Sequence, residues 1–336
     1  MPRGVNGKLI PVFLVALVSA TVLAFPAAAG PNRVDGRVGR VAIFYYPWYS
    51  TPARDGQWAH WYIERDGTPA LSTAYFPNRG LYSSSNARIV DAQMREIAAT
   101  GIDTVVVSWW GFGSPEGDRL ALVTQAARRR GLGVAIHVEP YQGRTPARAA
   151  EDIARLQKEG GYSDFYVYDA DRDPAADWAE ALAPLTGVRL FGQTRLVGRA
   201  KSSGFDGVYT YEIGVWTGGT FARTCTQAHN AGLLCAPSVG PGYDARFATG
   251  DQTVRPRLDG GTYDRMWKTA LRAKADAVTI TSYNEWQEGT QIEGARLQVG
   301  RPGYDGAWGK LGVPAQRAYL DATARWVDRL RAVTGD

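Results

Sequence analysis

Apolar residues recur along this chain as short continuous runs, separated by longer segments with helical spacing. The runs fall at 41–46, 104–109, 133–138, 164–168, 189–192, 207–211, 234–239 and 277–282, eight in all. Several, such as Thr104-Val105-Val106-Val107, are apolar without alternation, the pattern of a strand covered on both faces. Helix-like segments lie between and after them at 87–100, 119–130, 146–159, 175–182, 196–202, 221–231, 263–274 and 314–333. Gly101, Gly131 and Gly160 each follow a helix-like run, where a left-handed C-terminal cap is wanted. Alternating strands and helices on this scale predict an α/β fold, a single (β/α)8 TIM barrel over 41–336. A doubly wound open sheet is the alternative. No Gly-x-Gly-x-x-Gly follows the first run, which argues against its nucleotide-binding version.

The first 29 residues read differently. Arg3 and Lys8 form a basic start, 9–25 is apolar, and Pro26-Ala27-Ala28-Ala29 offers small residues for cleavage. A signal peptide at 1–29 and a linker at 30–40 are therefore expected, with export, no integral membrane association after cleavage, and a secreted product. The apolar run is short for an uncleaved anchor. Arginine outnumbers lysine about five to one, which with the leader suggests a bacterial exported protein.

The net charge of +5 becomes +3 once Arg3 and Lys8 leave with the leader. Arg128-Arg129-Arg130 reads as the polar end of a helix, so nucleic acid is not expected as a partner. Cys225 and Cys235 can pair outside the cytoplasm or remain buried thiols, and both states stay open. Neither they nor His60, His137 and His229 have zinc-ligand spacing, so no metal and no cofactor is expected. A monomer is expected.

The chain holds 11 tryptophans and 17 tyrosines, which serve either core packing or a groove that stacks sugar rings. In a barrel of this kind, the C-terminal ends of the strands build the active site. The predicted ends carry Tyr46, Trp48 and His60, then Trp109 and Trp110, then His137, Glu139 and Tyr141. Tyr211 and Tyr243 follow, and the last strand delivers Asn284, Glu285, Trp286, Gln287 and Glu288. Any one of these could be structural, but acids and aromatics gathered at one end suggest a carbohydrate cleft. Glu285 and Glu288 are the catalytic candidates. On a helical turn, residues three apart hold their Cβ atoms about 5–6 Å apart. Retaining glycosidases place their carboxyl pair about 5–5.5 Å apart. Two close carboxyls also resist double ionisation, which leaves one able to donate a proton.

The motifs Phe44-Tyr45-Tyr46-Pro47-Trp48-Tyr49, Ile136-His137-Val138-Glu139-Pro140-Tyr141 and Tyr166-Val167-Tyr168-Asp169 occur in that order. Pro237-Ser238-Val239-Gly240-Pro241-Gly242-Tyr243 and Asn284-Glu285-Trp286-Gln287-Glu288-Gly289-Thr290-Gln291-Ile292-Glu293 follow. Together they resemble glycoside hydrolase family 99, the endo-α-1,2-mannosidases and endo-α-1,2-mannanases, from about Val41 to Val333. The resemblance implies a single barrel, no metal, and endo-acting hydrolysis of an α-mannan or mannose-containing glycan with retention. It implies that Glu285 takes the proton of the substrate's own 2-hydroxyl. A 1,2-anhydro sugar then forms, and Glu288 protonates the leaving oxygen and later activates water. Tyr46, Glu139 and Tyr211 would line the cleft around the reacting sugar, and Trp110 the subsite beyond. One departure is visible: the family usually has His where this chain has Gln287, and Gln cannot become a cation near neutral pH. The rival readings are a related endo-glycanase or transglycosylase acting on another α-linked glycan, and a secreted glycan-binding protein without turnover.

Overall fold

The computed structural model describes Met1, residues 41–194 and residues 196–335. The expected leader and the linker at 30–40 therefore fall, Met1 apart, outside the described residues. The barrel strands are β1 (Val41–Tyr45), β2 (Thr104–Trp109), β3 (Gly133–Val138) and β4 (Asp164–Val167). They continue as β5 (Arg189–Gln193), β6 (Gly207–Tyr209), β7 (Leu234–Ala236 with Ser238–Val239) and β8 (Val278–Ile280). The helices that follow them in turn are α1 (Ala87–Ala99), α2 (Pro115–Arg129), α3 (Pro146–Gly160) and α4 (Ala175–Leu182). The second half adds α5 (Val197–Ser202), α6 (Phe221–Asn230), α7 (Gly261–Arg272) and α8 (Ala318–Thr334).

The strands pair in parallel, each with its neighbour in the chain, from β1 to β7. Strand β8 pairs with β1 on one side and with Ser238–Val239 of β7 on the other, which completes the ring. Strand β7 is split at Pro237, where the missing N–H removes a rung of the ladder. The proline carbonyl still accepts from Thr279 N at 3.0 Å, so closure survives the break. The (β/α)8 barrel expected from the sequence is thus the observed fold.

The helix boundaries follow local chemistry. Ser114 caps α2, its Oγ accepting from Gly117 N, and Pro115 begins the helix four residues before the expected start at 119. Gly160 belongs to α3, and Gly161 (φ 67°) takes the left-handed cap expected of Gly160. The expected helix over 314–333 is a short turn, Val313–Gln316, followed by α8 after a break at Arg317.

Aromatic rings close the barrel interior. Phe44 of β1 meets His137 of β3 at 4.6 Å, Tyr166 of β4 at 5.8 Å and Tyr209 of β6 at 5.7 Å between ring centroids. Tyr166 and Tyr209 meet edge to face at 5.2 Å. Such a plug contributes by removing large apolar area from water, about 1.5–3 kcal/mol for a ring the size of Phe. It also forms a rigid floor under the residues at the strand ends.

Cys225 of α6 and Cys235 of β7 are joined by a disulfide, with their Cα atoms 5.1 Å apart. The helix packs directly on the strand that follows it, which brings the two positions within bonding reach.

Candidate active site

The loop after β8 is fastened before it turns. Ser282 Oγ accepts from Glu285 N at 2.8 Å and pairs with Thr290 Oγ1 at 2.9 Å, and Tyr283 N donates to Phe44 O. Trp286–Glu288 is then a single 3-10 turn ended by Gly289 at φ 63°. In such a turn, residues three apart lie on one face, so Glu285 and Glu288 look the same way. Glycine suits this left-handed position, and a Cβ there would press on Asp244 N at 3.1 Å and Asp244 O at 3.2 Å.

Glu285 is 5% exposed. Tyr211 donates a hydrogen bond to its carboxylate, and the Tyr46 hydroxyl is bonded in turn to that of Tyr211. Burial drives the Glu285 carboxyl well above its ordinary range, the Glu288 charge adds to this, and the Tyr211 bond opposes it. Glu288 is only partly buried. Its carboxyl is pushed up to about 7 by desolvation and by the charges of Glu212, Glu139 and Asp251. Glu288 opens on a cavity of about 220 Å³ that is also lined by Tyr168, Tyr211, Glu212, Tyr243 and Asp251. That is room for a single sugar unit rather than a drug-sized ligand.

Two groups of side chains flank the pair. On one side, Tyr46, Trp48 and His60 form a pile, with centroids 4.4 Å apart at each step. Gln287 Nε2 donates to Ser72 Oγ at 3.2 Å, and the Ser72 hydroxyl donates to His60 O at 2.8 Å. This turns Gln287 Oε1 to His60 Nδ1 at 3.1 Å, so Nδ1 carries the hydrogen. Burial lowers the His60 pKa and keeps the ring neutral. On the other side, Ser108 Oγ donates to Glu139 Oε1 at 2.8 Å and accepts from Trp110 Nε1 at 3.1 Å. His137 Nδ1 lies 2.9 Å from the same Glu139 oxygen.

The structure therefore links Tyr46, Trp48, His60, Trp110, Glu139, Tyr211, Tyr243, Glu285, Gln287 and Glu288 into one cluster about the glutamate pair, of which Tyr211, Tyr243 and Glu288 line the cavity. Five other candidates lie elsewhere. Trp109 is fully buried between Phe112 and Tyr141, because side chains alternate along β2 and Ser108 takes the inward position. Tyr141 points its hydroxyl to Asp152 on α3. His137 belongs to the barrel floor, where its Nε2 is 2.9 Å from Tyr209 Oη. Asn284 is fully buried and spends its amide on both backbone groups of Tyr46, at 2.8 and 3.0 Å. Trp286 is also fully buried, with its indole against Glu293 at 2.9 Å. These five support the cleft rather than line it. Tyr168, Glu212 and Asp251 were not among the candidates. The first two stand at strand ends, where the site was expected, whereas Asp251 sits in a polar loop with no distinguishing pattern. Among the described residues, no group of acidic, histidine or cysteine side chains could hold a metal.

Comparison with known proteins now decides the family. The sequence matches the profile of Glycosyl hydrolase family 99 over residues 39–332. The chain belongs to this family. It is accordingly a glycoside hydrolase, and its relatives within family 99 are informative. It is 30% identical over 314 residues to a glycoprotein endo-alpha-1,2-mannosidase-like protein of Danio rerio, covering 76% of this chain and 71% of the relative. A human protein described in the same words is 28% identical over 312 residues, covering 75% and 68%. The solved family 99 endo-alpha-mannosidase of Bacteroides thetaiotaomicron superposes with a TM-score of 0.79 at 27% identity. That match covers 89% of this chain and 99% of that one.

Proposed function

We propose that the protein is an exported, retaining endo-α-mannosidase that cuts internal α-1,2-mannosidic linkages through the substrate's own 2-hydroxyl. The observation that carries this reading is the Glu285–Glu288 pair: one carboxyl sealed under two tyrosine hydroxyls, the other half-open and held at a pKa of about 7. A general acid near neutral pH needs such a value. A tyrosine hydroxyl donates to a carboxylate oxygen, so Tyr211 favours the ionised form of Glu285 and opposes the rise that burial imposes on it.

The chemistry follows from that placement. Glu285 removes the proton of the 2-hydroxyl, and O2 attacks C1 of the same sugar. The bond from C1 to the leaving oxygen breaks, and that oxygen takes the proton of Glu288. The product is a 1,2-anhydro sugar. Glu288, now a carboxylate, takes a proton from water as the water oxygen bonds C1. The C1–O2 bond opens, and O2 recovers its proton from Glu285. Two inversions leave the configuration retained. In an α-mannoside, O2 and the leaving oxygen lie on opposite faces of the ring, as in-line displacement requires. An α-glucoside has them on the same face, which favours mannose as the reacting sugar. Relatives described as glycoprotein endo-alpha-1,2-mannosidase-like proteins support the linkage.

Tyr46, Glu139, Tyr211 and Trp110 fit the role of holding the reacting sugar and its neighbour. Trp48, His60, Gln287 and Tyr243 fit contacts further along the glycan. The basic and apolar pattern of 1–29 supports export, as does a disulfide in a protein of this size.

The test is the anomeric course of hydrolysis, followed by proton NMR, of a defined mannan with an internal α-1,2 linkage whose reacting mannose is extended through a position other than O2 and so keeps its 2-hydroxyl free. The α-anomer of an oligosaccharide appears first if this reading holds. A first-formed β-anomer, or release of mannose alone, would reject it. A substrate lacking the reacting 2-hydroxyl should not be cleaved.

A further inference from the structure

Beyond Glu288 in the same motif, the chain carries a third carboxylate, Glu293, which the chemistry above does not use. It is fully buried. Tyr82 Oη at 2.7 Å and Trp286 Nε1 at 2.9 Å donate to one of its oxygens. Gln93 Nε2 donates to the other at 2.9 Å, and the Arg79 guanidinium forms an ion pair with that oxygen at 2.7 Å. Arg79 also pairs with Glu96 at 2.7 Å, and Glu96 accepts from Tyr283 at 2.8 Å. A charge sealed from water is tolerated only with such a shell.

What the shell holds is informative. Trp286 directly follows Glu285 and Asn284 directly precedes it. Glu293 grips Trp286 by its indole. It also fixes Tyr82, whose hydroxyl accepts from Asn284 Nδ2 and from Trp286 Nε1, each at 3.3 Å. Tyr49 adds a second tie, because its hydroxyl accepts from Trp286 N at 3.0 Å and donates to Asn284 O at 2.8 Å. Asn284 is bonded to the backbone of Tyr46, and Tyr46 reaches Glu285 through Tyr211. Both chain neighbours of Glu285, and the tyrosine pair above it, thus trace back to one buried carboxylate.

We propose that Glu293 is a positioning residue, which sets the aim of Glu285 at the substrate through Trp286, Tyr82 and Asn284. The inference rests on the reading of Glu285 as the base. Small displacements of a reacting group carry large rate costs, whereas binding contacts made elsewhere in the cleft are untouched.

The test is Glu293→Gln, assayed for kcat and KM on the same mannan, whose reacting mannose keeps a free 2-hydroxyl. Gln turns an N–H₂ toward groups that are themselves donors, so the shell must shift. We expect kcat per folded molecule to fall by about tenfold or more, with KM within about threefold of wild type. In a Glu285→Gln background the same change should have no further effect on the residual rate, because the group it aims is gone. Tyr82→Phe keeps the carboxylate and removes only the relay, and serves if Glu293→Gln does not fold. It should show the same split between kcat and KM. An unchanged kcat with a lowered melting temperature assigns Glu293 a structural role and overturns the inference. So does a full additional loss in the Glu285→Gln background. A wild-type protein that cleaves no α-mannan overturns the underlying reading with it, whereas an active wild type with an equally fast Glu293→Gln overturns this inference alone.

Discussion

Replacing Tyr211 with Phe removes one hydroxyl and leaves the ring, which packs on His137 at 5.3 Å and on Phe44 at 4.9 Å. The lost hydroxyl is the direct donor to Glu285, whose carboxylate is almost fully buried. A hydrogen bond to a charged group is worth about 1.5–3 kcal/mol. At about 1.4 kcal/mol per pKa unit, its loss raises the Glu285 pKa by about one to two units. The sign follows from which form the bond favours. Tyr211 donates to the ionised carboxylate, so without it the proton is held more tightly and a higher pH is needed to free the base. The acid limb of kcat/KM should therefore move up by about one to two units, and the rate on that limb should fall by about ten- to a hundredfold. Tyr46 also bears on Glu285 and can compensate in part, so the single variant should sit near the lower figure and Tyr46→Phe/Tyr211→Phe beyond it. The assay is a pH–rate profile on a mannan with an internal α-1,2 linkage and a free 2-hydroxyl on the reacting mannose, from about pH 4 to about pH 9, wide enough to hold both limbs. An acid limb that stays in place, or moves down, refutes the assignment of Glu285 as a base tuned by Tyr211.

Glu288→Gln should change stability in a pH-dependent way. The folded-state carboxyl is raised from 4.5 to about 7. The stability it contributes is full below the unfolded value and lost as pH rises through about 7. The variant should match wild type near about pH 4 and exceed it near about pH 8, by at most about 3 kcal/mol and less because Glu288 is partly exposed. Thermal melts at both values check this. Cys225→Ser/Cys235→Ser opens a loop with a sequence separation of 10. It should cost about 2–3 kcal/mol in urea unfolding with kcat unchanged. Arg257 is buried among Tyr75, Tyr304 and Tyr319, with Nη2 bonded to the carbonyls of Gly289 at 2.9 Å and Gln291 at 2.7 Å. Arg257→Met should destabilise by about 2–4 kcal/mol in the same unfolding assay, because both carbonyls lose a charged donor.

Much of the barrel was legible because its strands are buried on both faces and so stand out as unbroken apolar runs. The same property hid which way each side chain points. Ser108 and Trp109 are neighbours on β2, and only the alternation of a strand whose faces are known shows that the serine looks inward. Counting aromatics at strand ends likewise merged two populations. Tyr46, Trp48 and Tyr211 gather about Glu285, whereas Phe44, Tyr166 and Tyr209 plug the barrel. The glutamate pair was legible from its spacing, since a single turn after a strand fixes the relation of residues three apart. Glu293 was in plain view in the same motif. Its importance appears only when residues at least 200 positions away, Tyr82 and Gln93, are seen to meet it. Asp251 gave no local signal, because its effect on Glu288 depends entirely on how its loop folds over the cleft.

The most direct measurement is turnover of a defined mannan, with an internal α-1,2 linkage and a free 2-hydroxyl on the reacting mannose, by wild type, Glu285→Gln and Glu288→Gln side by side, with binding of the same glycan measured by calorimetry. The account predicts internal cleavage by wild type. It predicts that both variants lose turnover by roughly a thousandfold or more, the scale of removing an essential base or acid, while glycan affinity is largely kept. Hydrolysis at a wild-type rate by either variant would contradict it.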